Sequence, residues 1–474
     1  MIKKLFIKDI KLLIKDLKFQ IFFLILVILF ILSAVSSSVT YHAFTNEYQE
    51  LFNEHQNKAN DDTAMRMIDM LTREYQISVY DKPSPAILFS VYENYPNRLK
   101  NEVVFYRPNF RKYGTTGTSA TEVFRLNWYF ILGILSGFIM LIMSFEAVSS
   151  EKRSGTLRLL SIYGFKRQAV LWCKYISYML LYLIIIIPPA LISLVLFFTL
   201  TGTWEITYMV QFILILLLSI PFASFFVFLG MFISMVKNYR NAIVIVVFVW
   251  LLFVIIIPQS ATIFGKLISP IKTSTEYAQM ERKAWIDEYI ILSEQHNEKL
   301  QGNGNLYDGI RAAGVYACDE KGNMIDQKEL EDYKKQLRSI EIISQLSPFA
   351  QFEKISEIIF DKGYYMLGCL METMKNTQAQ VRNMMIEQDS RDETSIHLLY
   401  SWAGGDRFAV IDQGFYPFSN QKFEQPNLLF VTDIPTDDTL NKTLKILYRL
   451  LPILLLNLLL IIGSVMKLER LDIR

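Results

Sequence analysis

The sequence predicts an all-α polytopic membrane protein with six transmembrane helices and two extracytoplasmic insertions, the first α+β and the second mainly α. Of its 474 residues, 52% are apolar, and they concentrate repeatedly in uninterrupted runs of about 20 residues. The short stretches between these runs are rich in Lys and Arg, whereas two long stretches are polar throughout. A soluble protein rarely distributes its apolar residues in this way.

The first 19 residues alternate basic and apolar side chains at helical spacing. Apolar residues such as Ile10 and Leu13 fall on one face of a helix, and lysines such as Lys8 and Lys15 on the other. The pattern predicts an amphipathic helix in the membrane interface, or alternatively a simple basic flank of the first span. No convincing cleavage motif follows the first apolar run, so we expect it to remain as an anchor.

The first insertion is predicted to combine helix and strand. Residues 46–74 are polar with helical periodicity, and the residues that follow form short β-branched and aromatic runs broken by Pro and Asn. The second span then begins with Trp128 and Tyr129, which we expect to lie at its outer end as interfacial aromatics.

Four more spans and the second insertion complete the chain. Pro188 and Pro189 interrupt the third span, and because proline removes backbone donors, we expect a kink or break and a candidate hinge there. Within the second insertion, 275–300, 327–345 and 346–364 have helical patterns, the last after a Ser-Pro start. The predicted boundaries are 1–19 for the amphipathic helix, 20–40, 128–146, 175–200, 207–236, 241–260 and 447–466 for the spans, 41–127 and 261–446 for the insertions, 147–174 for a charged connecting segment, and 467–474 for a basic tail.

The distribution of charge predicts the orientation. The net charge is only +2, yet roughly a third of the 48 Lys and Arg residues lie in the N-terminal helix, the short connections and the C-terminal tail. Because Lys and Arg in short loops resist translocation, both termini are expected to be cytoplasmic. The remaining, larger parts are net acidic, which argues against a nucleic-acid partner.

The sequence offers little for metal or redox chemistry. The four histidines are scattered without metal-ligand spacing, and we assign no catalytic residue and no metal site. Cys318 and Cys369 both fall in the second insertion, and the sequence leaves open whether they form a disulfide or stay free thiols. Glu146 at the inner end of the second span is expected to pair with a nearby Lys or Arg, and Asn457 to hydrogen-bond between helices.

The charged segment between the second and third spans carries the strongest functional signal. Ser149 or Ser150 is expected to cap a short helix that has Glu151 in its first turn. Gly155 is expected to allow close backbone approach. An apolar face of Leu157, Leu159 and Leu160 is then available to a partner groove.

This segment resembles the intracellular coupling segment of ABC-2 type ABC transporter permeases. The resemblance rests on an acidic residue before Gly-Thr-Leu and a Lys at the next span, here the five residues Glu151, Gly155, Thr156, Leu157 and Lys174. It covers the six spans and their connections well and the two insertions poorly. Lys82-Pro83-Ser84-Pro85 before an apolar run also resembles the first external loop of a long-loop subgroup of this family.

The resemblance implies a permease subunit of a bacterial inner-membrane exporter. The implied contacts with an ABC ATP-binding subunit come from Glu151, Arg153, Gly155, Thr156, Leu157, Arg158 and Leu160. It further implies pairing with a second permease copy or a sister permease. The chain itself is expected to bind no cofactor, with ATP and Mg²⁺ on the partner subunit, and its external domains to gate the exit or meet a periplasmic partner.

No phosphate-binding loop of the form GxxxxGK[ST] occurs in the sequence, so an ATP-driven function requires a separate ATPase. The alternative is a non-transporting membrane scaffold or receptor whose external domains bind a partner. The substrate is not indicated.

Overall fold

The computed structural model describes residues 2–60, 76–89, 98–102, 109–111, 126–163, 166–236, 239–295, 321, 324–325, 327–328, 331–392, 422–424 and 426–470. The helices in chain order are α1 (Ile2–Lys15), α2 (Leu17–Asn60), α3 (Ser136–Ser144), α4 (Ser149–Arg153), α5 (Thr156–Ile162), α6 (Arg167–Thr201), α7 (Ile206–Ile233), α8 (Tyr239–Leu251), α9 (Ile257–Ile268), α10 (Ser274–Gln295), α11 (331–344), α12 (Pro348–Phe360), α13 (Gly363–Ser390) and α14 (Thr439–Glu469). The strands are β1 (Gln76–Tyr80), β2 (Arg98–Glu102), β3 (Asn109–Arg111) and β4 (Phe430–Val431).

Six helical segments in the described part of the chain are long and apolar enough to cross a membrane, as the sequence predicts. The second span joins a π-helix, Tyr129–Leu135, to α3, and the fifth joins α8 to α9 through a π-helix, Leu252–Ile256. The other four spans are α2, α6, α7 and α14. The second and fourth spans are mostly buried, whereas the fifth and sixth are mostly exposed along the outside of the bundle.

Aromatic side chains fill the centre of the bundle. Phe222, Phe225 and Phe226 of α7 are all buried, and Phe222 and Phe226 meet edge to face at 5.1 Å. At the basic end of the bundle, a side chain at Gly230 would collide with Ser144 of α3. The fourth span therefore needs glycine at this position to approach the second so closely.

Trp128 is buried, so the prediction that it is an interfacial aromatic was wrong. Its indole donates a hydrogen bond to Ser193 Oγ of α6 at 3.0 Å, and its ring contacts Phe30 and Phe212 edge to face. The hydroxyl inside the bundle satisfies the indole N–H, which lets the whole ring pack in the core.

Pro188 and Pro189 lie inside α6, which continues without a break from Arg167 to Thr201. The expected break is therefore absent. Buried neighbours on both sides, Ile186 and Ala190 among them, hold this part of the helix against the bundle, and such packing compensates for lost backbone hydrogen bonds. The proposed hinge at the two prolines remains a prediction.

A small sheet with the order β3-β2-β1-β4 lies at the end of the bundle opposite α1. The first insertion supplies β1, β2 and β3 in antiparallel pairs, as its β-branched and aromatic runs predict. The second insertion supplies β4, which pairs in parallel with β1 through Ser78 and Phe430. Lys362 of the second insertion also forms a buried ion pair with Asp81 of the first, with nitrogen–oxygen distances of 2.5 and 2.7 Å. The two insertions are therefore joined, and we call this region the sheet end.

Helix α12 belongs to the second insertion by sequence but packs within the bundle. Phe352 stacks on Phe222 of α7 with ring centroids 4.9 Å apart. Ser347 starts α12 by accepting a hydrogen bond from Ala350 N and donates to Phe253 O of the fifth span at 2.5 Å. The predicted Ser-Pro helix start is confirmed. The apolar face of α12 is buried against the bundle, and the expectation that the second insertion is external stays a prediction.

Helix α12 carries charged side chains that are largely buried. Glu357 accepts hydrogen bonds from Lys354 at 3.0 and 3.2 Å, and Arg449 of the last span and Glu353 lie nearby. Burial raises the pKa of Glu357 to about 7 despite the favourable charge of Lys354. This carboxyl therefore titrates near neutral pH.

Cys369 is a free thiol in the structure, and its proposed disulfide partner Cys318 lies outside the described residues. The two isolated polar residues expected in the spans do make their predicted contacts. Glu146 pairs with Lys18 at 3.1 Å, and Asn457 donates to Pro221 O of α7 at 2.9 Å.

Candidate functional site

The coupling segment, predicted as residues 147–174, contains two short helices at the end of the bundle that also carries α1, and its last residues already belong to α6, which begins at Arg167. Helix α4 follows the second span, and α5 leads toward the third. Neither helix exceeds two turns, which is too short for stability in isolation, so contacts with the bundle hold both in place. Gly164, part of the family resemblance, lies outside the described residues.

The start of α4 is capped by a residue distant in sequence. Ser234 Oγ, just beyond α7, accepts hydrogen bonds from the backbone N–H groups of Val148 and Ser149 at 2.7 and 2.9 Å. The prediction that Ser149 or Ser150 caps this helix was wrong, because neither side chain bonds a backbone N–H at its start. The hydroxyl of Ser234 satisfies the same kind of orphan donor and fixes α4 to the fourth span.

Lys174 links three elements through two carboxylates. Its Nζ lies 2.9 Å from Glu151 Oε1 of α4 and 3.7 Å from Asp9 Oδ2 of α1, while Lys174 itself belongs to α6. All three side chains are largely buried, with exposed fractions of 11% for Lys174, 19% for Glu151 and 9% for Asp9. Ion pairs in such surroundings are screened little by salt. We call Asp9, Lys174 and Glu151 the inner triad.

The charges of the inner triad are not balanced, because two carboxylates share one lysine. Burial raises the pKa of Asp9, and Glu151 raises it further, while Lys174 and Lys8 lower it. Asp9 Oδ2 is buried without a hydrogen-bond partner among the described residues. Lys174 therefore provides the main compensation for two neighbouring carboxylates.

The turn between α4 and α5 depends on Thr156 and Gly155. Thr156 Oγ1 contacts the carboxylate of Glu151 and lies 2.9 Å from Ser154 Oγ. Gly155 has φ +73°, a left-handed conformation that a residue with a Cβ adopts at a cost. Nothing in the chain lies within 4 Å of the place its Cβ would occupy, and the close approach of a partner at Gly155 stays a prediction. Its role here is the turn.

The apolar residues of α5 point in two directions. Leu157 is 3% exposed and belongs to the core, and Leu160 packs against the core, so neither offers the partner-facing surface expected from the sequence. The large side chains on the outer side are Leu159, Ile162 and Tyr163, which are 53%, 72% and 68% exposed.

Two basic residues share this outer side. Arg153 at the end of α4 and Arg158 in α5 are exposed. Together with Leu159, Ile162 and Tyr163 they form what we call the outer face of the coupling segment. The predicted contact residues thus divide into an inward group, Glu151, Thr156, Leu157 and Leu160, and an outward group, Arg153 and Arg158, with Gly155 at the turn between them.

The neighbouring helix ends are also bound together. Arg167 at the start of α6 donates to the carbonyls of Leu468 and Glu469 at the end of α14, at 3.3 and 2.9 Å. Lys467 donates to Phe232 O of α7 at 3.2 Å. These cations occupy carbonyls that a helix C-terminus leaves without partners. Displacement of the coupling segment would therefore act on several spans at once.

The sequence was compared with models of known protein families. The family model described as ABC-2 family transporter protein matches residues 4–357, from α1 into α12, and this range includes all three members of the inner triad. The chain belongs to the ABC-2 transporter family. Neither a curated protein nor a solved structure matches the chain significantly.

Membership establishes a multi-pass membrane protein of the ABC-2 permease family. The bounds of the match enclose the first insertion and about half of the second, and they end within α12.

Sequence reasoning missed three residues at the site. Asp9 was available as an acid within a basic amphipathic helix, which is a recognisable signal for a buried partner. Ser234 carried no signal, since its bonds depend on the fourth span ending beside α4. Ile162 could have been found from the helical period, because it lies on the opposite side of α5 from Leu157.

Proposed function

We propose that this chain is the membrane-spanning permease subunit of an ABC-2 exporter of the bacterial inner membrane, powered by a separate ABC ATP-binding subunit. The partner holds ATP and Mg²⁺, and the permease works as a dimer of two copies or with a sister permease. Family membership supports the permease assignment. The basic residues at the α1 end support an orientation with this end, and both termini, in the cytoplasm.

The observation that carries the proposal is the inner triad. Lys174 joins the coupling segment to both α1 and the third span through Glu151 and Asp9. When a partner pushes on the outer face, the displacement passes through these ion pairs to the N-terminal helix and the third span. The bundle of one permease then rocks against that of its neighbour and opens a path between them.

The outer face fits a partner groove in its chemistry. Leu159 and Ile162 supply apolar contact area, and Arg158 supplies a cation at its edge. Apolar anchors surrounded by charge are typical of protein interfaces. Arg153 and Arg158 are thus assigned to polar contact with the ATPase, and the inward residues to holding the segment in place.

The test is co-purification with a candidate ABC ATP-binding subunit, followed by an ATPase assay in lipid vesicles. We expect Ile162→Asp to abolish binding and stimulation of ATP hydrolysis, because it places a charge in the apolar contact. Ile342→Asp is the matched control. Ile342 is similarly exposed, at 60%, and lies in α11, so this variant should bind like the wild type.

A wild-type chain that associates with no ATP-binding subunit would contradict the proposal and favour a non-transporting scaffold or receptor. If the Ile162→Asp variant binds the ATPase as well as the wild type does, the outer face is not part of the interface. Leu157→Asp is not a useful probe, because Leu157 is buried and its charged variant would disturb the fold before any interface.

The sheet end is proposed to face the periplasm and to gate the exit or receive a periplasmic partner. Its support is the orientation argument, since the sheet lies at the end of the bundle opposite the basic residues of α1. The substrate class does not follow from these contacts.

A further inference from the structure

Helix α1 has three distinct faces. Asp9 and Leu13 face the bundle, where Asp9 meets Lys174 and Leu13 packs against the core. A second face carries apolar side chains that remain exposed, and a third carries lysines. An amphipathic helix that lies on a bilayer needs only the last two faces, so the first explains how α1 is held to the protein.

The exposed apolar side chains follow helical spacing. Ile7 and Ile14 are 42% and 38% exposed, and Ile10 lies between them on the same side. Leu12, which is 58% exposed, lies on the other side of the lysines. Only Asp16 separates α1 from α2, whose first residue, Leu17, is 67% exposed, so α1 leads directly into the first span. Its depth in the bilayer is therefore fixed near the end of a membrane-spanning helix.

The lysine stripe borders the apolar one. Lys8, Lys11 and Lys15 are spaced i, i+3 and i+7, which places them on one side of the helix, and all three are exposed. Each lacks a carboxylate within 4.0 Å among the described residues.

Nearby acids are directed elsewhere. Asp9 faces Lys174, Asp16 accepts a hydrogen bond from the backbone of Lys18 at 3.0 Å, and Glu146 pairs with the side chain of Lys18. Lys8 is close enough to Asp9 to lower its pKa, but Lys8, Lys11 and Lys15 form no ion pair in the described part of the chain. An apolar stripe at acyl-chain depth beside three cations places those cations at the level of lipid phosphates.

We propose that the stripe Lys8, Lys11 and Lys15 binds anionic phospholipid headgroups of the adjacent leaflet. The headgroups hold α1 from the outside while Lys174 holds it from the bundle side. The order of α1, and through Asp9 that of the inner triad, then depends on the anionic lipid content of the membrane. This inference concerns the permease alone and does not require an ATP-binding partner.

The test is native mass spectrometry of the detergent-solubilised full chain, titrated with phosphatidylglycerol or with phosphatidylcholine. We expect the wild type to bind phosphatidylglycerol more tightly. A lysine close to an anionic surface contributes about fivefold in affinity. The triple variant Lys8→Gln, Lys11→Gln, Lys15→Gln should thus lose fivefold or more in phosphatidylglycerol affinity, with phosphatidylcholine binding unchanged.

Two further variants separate charge from other effects. The matched control, Lys283→Gln, Lys334→Gln, Lys375→Gln, removes three exposed lysines from the second insertion and should keep the wild-type preference. The triple variant Lys8→Arg, Lys11→Arg, Lys15→Arg should also keep the preference for phosphatidylglycerol, because it conserves the charge. Equal affinity of the wild type for both lipids, or an unchanged preference in the glutamine variant, would overturn the proposal and leave the lysines to a protein partner.

Discussion

Lys174 is the residue on which the inner triad depends. It lies between Asp9 and Glu151, so its removal leaves two carboxylates close together and largely buried. We expect Lys174→Met to lower the free energy of unfolding by about 1–3 kcal/mol, less than for a fully buried pair because Glu151 is partly exposed. The apparent midpoint of thermal unfolding in detergent measures this.

Removal of the carboxylates as well should relieve the repulsion. The combination of Lys174→Met with Asp9→Asn and Glu151→Gln is therefore expected to be more stable than Lys174→Met alone. Lys152→Met, which changes an exposed lysine of α4, is the control and should match the wild type. A triple variant less stable than the single one would show that the carboxylates do not oppose each other.

Glu357 makes the stability of the sheet end depend on pH near neutrality. Burial raises its pKa from 4.5 to about 7, so the folded chain holds this proton more tightly than the unfolded chain. The contribution of Glu357 to stability is therefore greatest below pH 4.5 and decreases as the pH rises through 7. Lys354, Glu353 and Arg449, the charged groups around it, make the titration a property of the cluster.

Glu357→Gln should remove this dependence. Because the amide keeps the shape of the acid without its charge, we expect the variant to be about 1–3 kcal/mol more stable than the wild type at pH 8 and similar at pH 5. Thermal unfolding across this pH range measures the difference. Glu372→Gln alters an exposed acid of α13 and should follow the wild type. A wild-type stability that rises with pH over this range would contradict the assignment.

At the scale of elements, the turn between α4 and α5 determines the shape of the coupling segment. Gly155 is left-handed with open space around it, so Gly155→Ala should cost about 1 kcal/mol through the backbone alone. We expect faster hydrogen exchange of residues 149–162 and weaker stimulation of the partner ATPase. Gly155→Asn should retain more order, because asparagine tolerates this conformation better.

Gly368 offers the matched control for this substitution. It lies inside α13, has no positive φ and has nothing within 4 Å of an added Cβ. Gly368→Ala should thus leave exchange in the coupling segment unchanged and be neutral or slightly stabilising. If both alanine variants behave alike, the left-handed turn at Gly155 has no special importance.

The elements themselves were predictable to different degrees. Runs of apolar residues identified six spans because a bilayer imposes a minimum length on each helix. It was harder to predict from the sequence which residues of the coupling segment face the bundle and which face outward. Leu157 and Leu159 stand on either side of Arg158, and only the packing of α5 against the bundle determines which of the two leucines is buried. Likewise, the cap from Ser234 depends on a contact across more than eighty residues of chain, which no local pattern contains.

The third span illustrates a local preference overridden by its surroundings. Two consecutive prolines predict a break, yet α6 is continuous because the neighbouring helices bury this part of it. If the hinge prediction holds, replacement of both, Pro188→Ala and Pro189→Ala, is expected to reduce the stimulation of ATP hydrolysis while leaving ATPase binding intact. Co-purification and an ATPase assay in lipid vesicles measure the two effects, and unchanged stimulation would contradict the hinge.

At the scale of the whole molecule, the ion pair between Asp81 and Lys362 joins the two insertions. Both side chains are almost fully buried, at 9% and 5% exposure. Asp81→Ala leaves an uncompensated buried cation and should destabilise the sheet end by about 3–5 kcal/mol. The double variant Asp81→Leu, Lys362→Leu should be much less affected. Limited proteolysis within the insertions compares the single and the double variant. Equally fast cleavage of both would contradict the view that an unpaired buried charge causes the destabilisation.

The parallel pairing of β1 with β4 has a consequence for the biosynthesis of this protein. Ser78 is synthesised early, but its strand partner Phe430 follows only after five spans and most of the second insertion. The sheet can therefore close only when both insertions have reached the same side of the bilayer. Until then, one edge of β1 is left without its strand partner, and a chain stalled after its fifth span presents that edge to chaperones and proteases. Closure of the sheet thus marks the point in synthesis at which the two insertions have met.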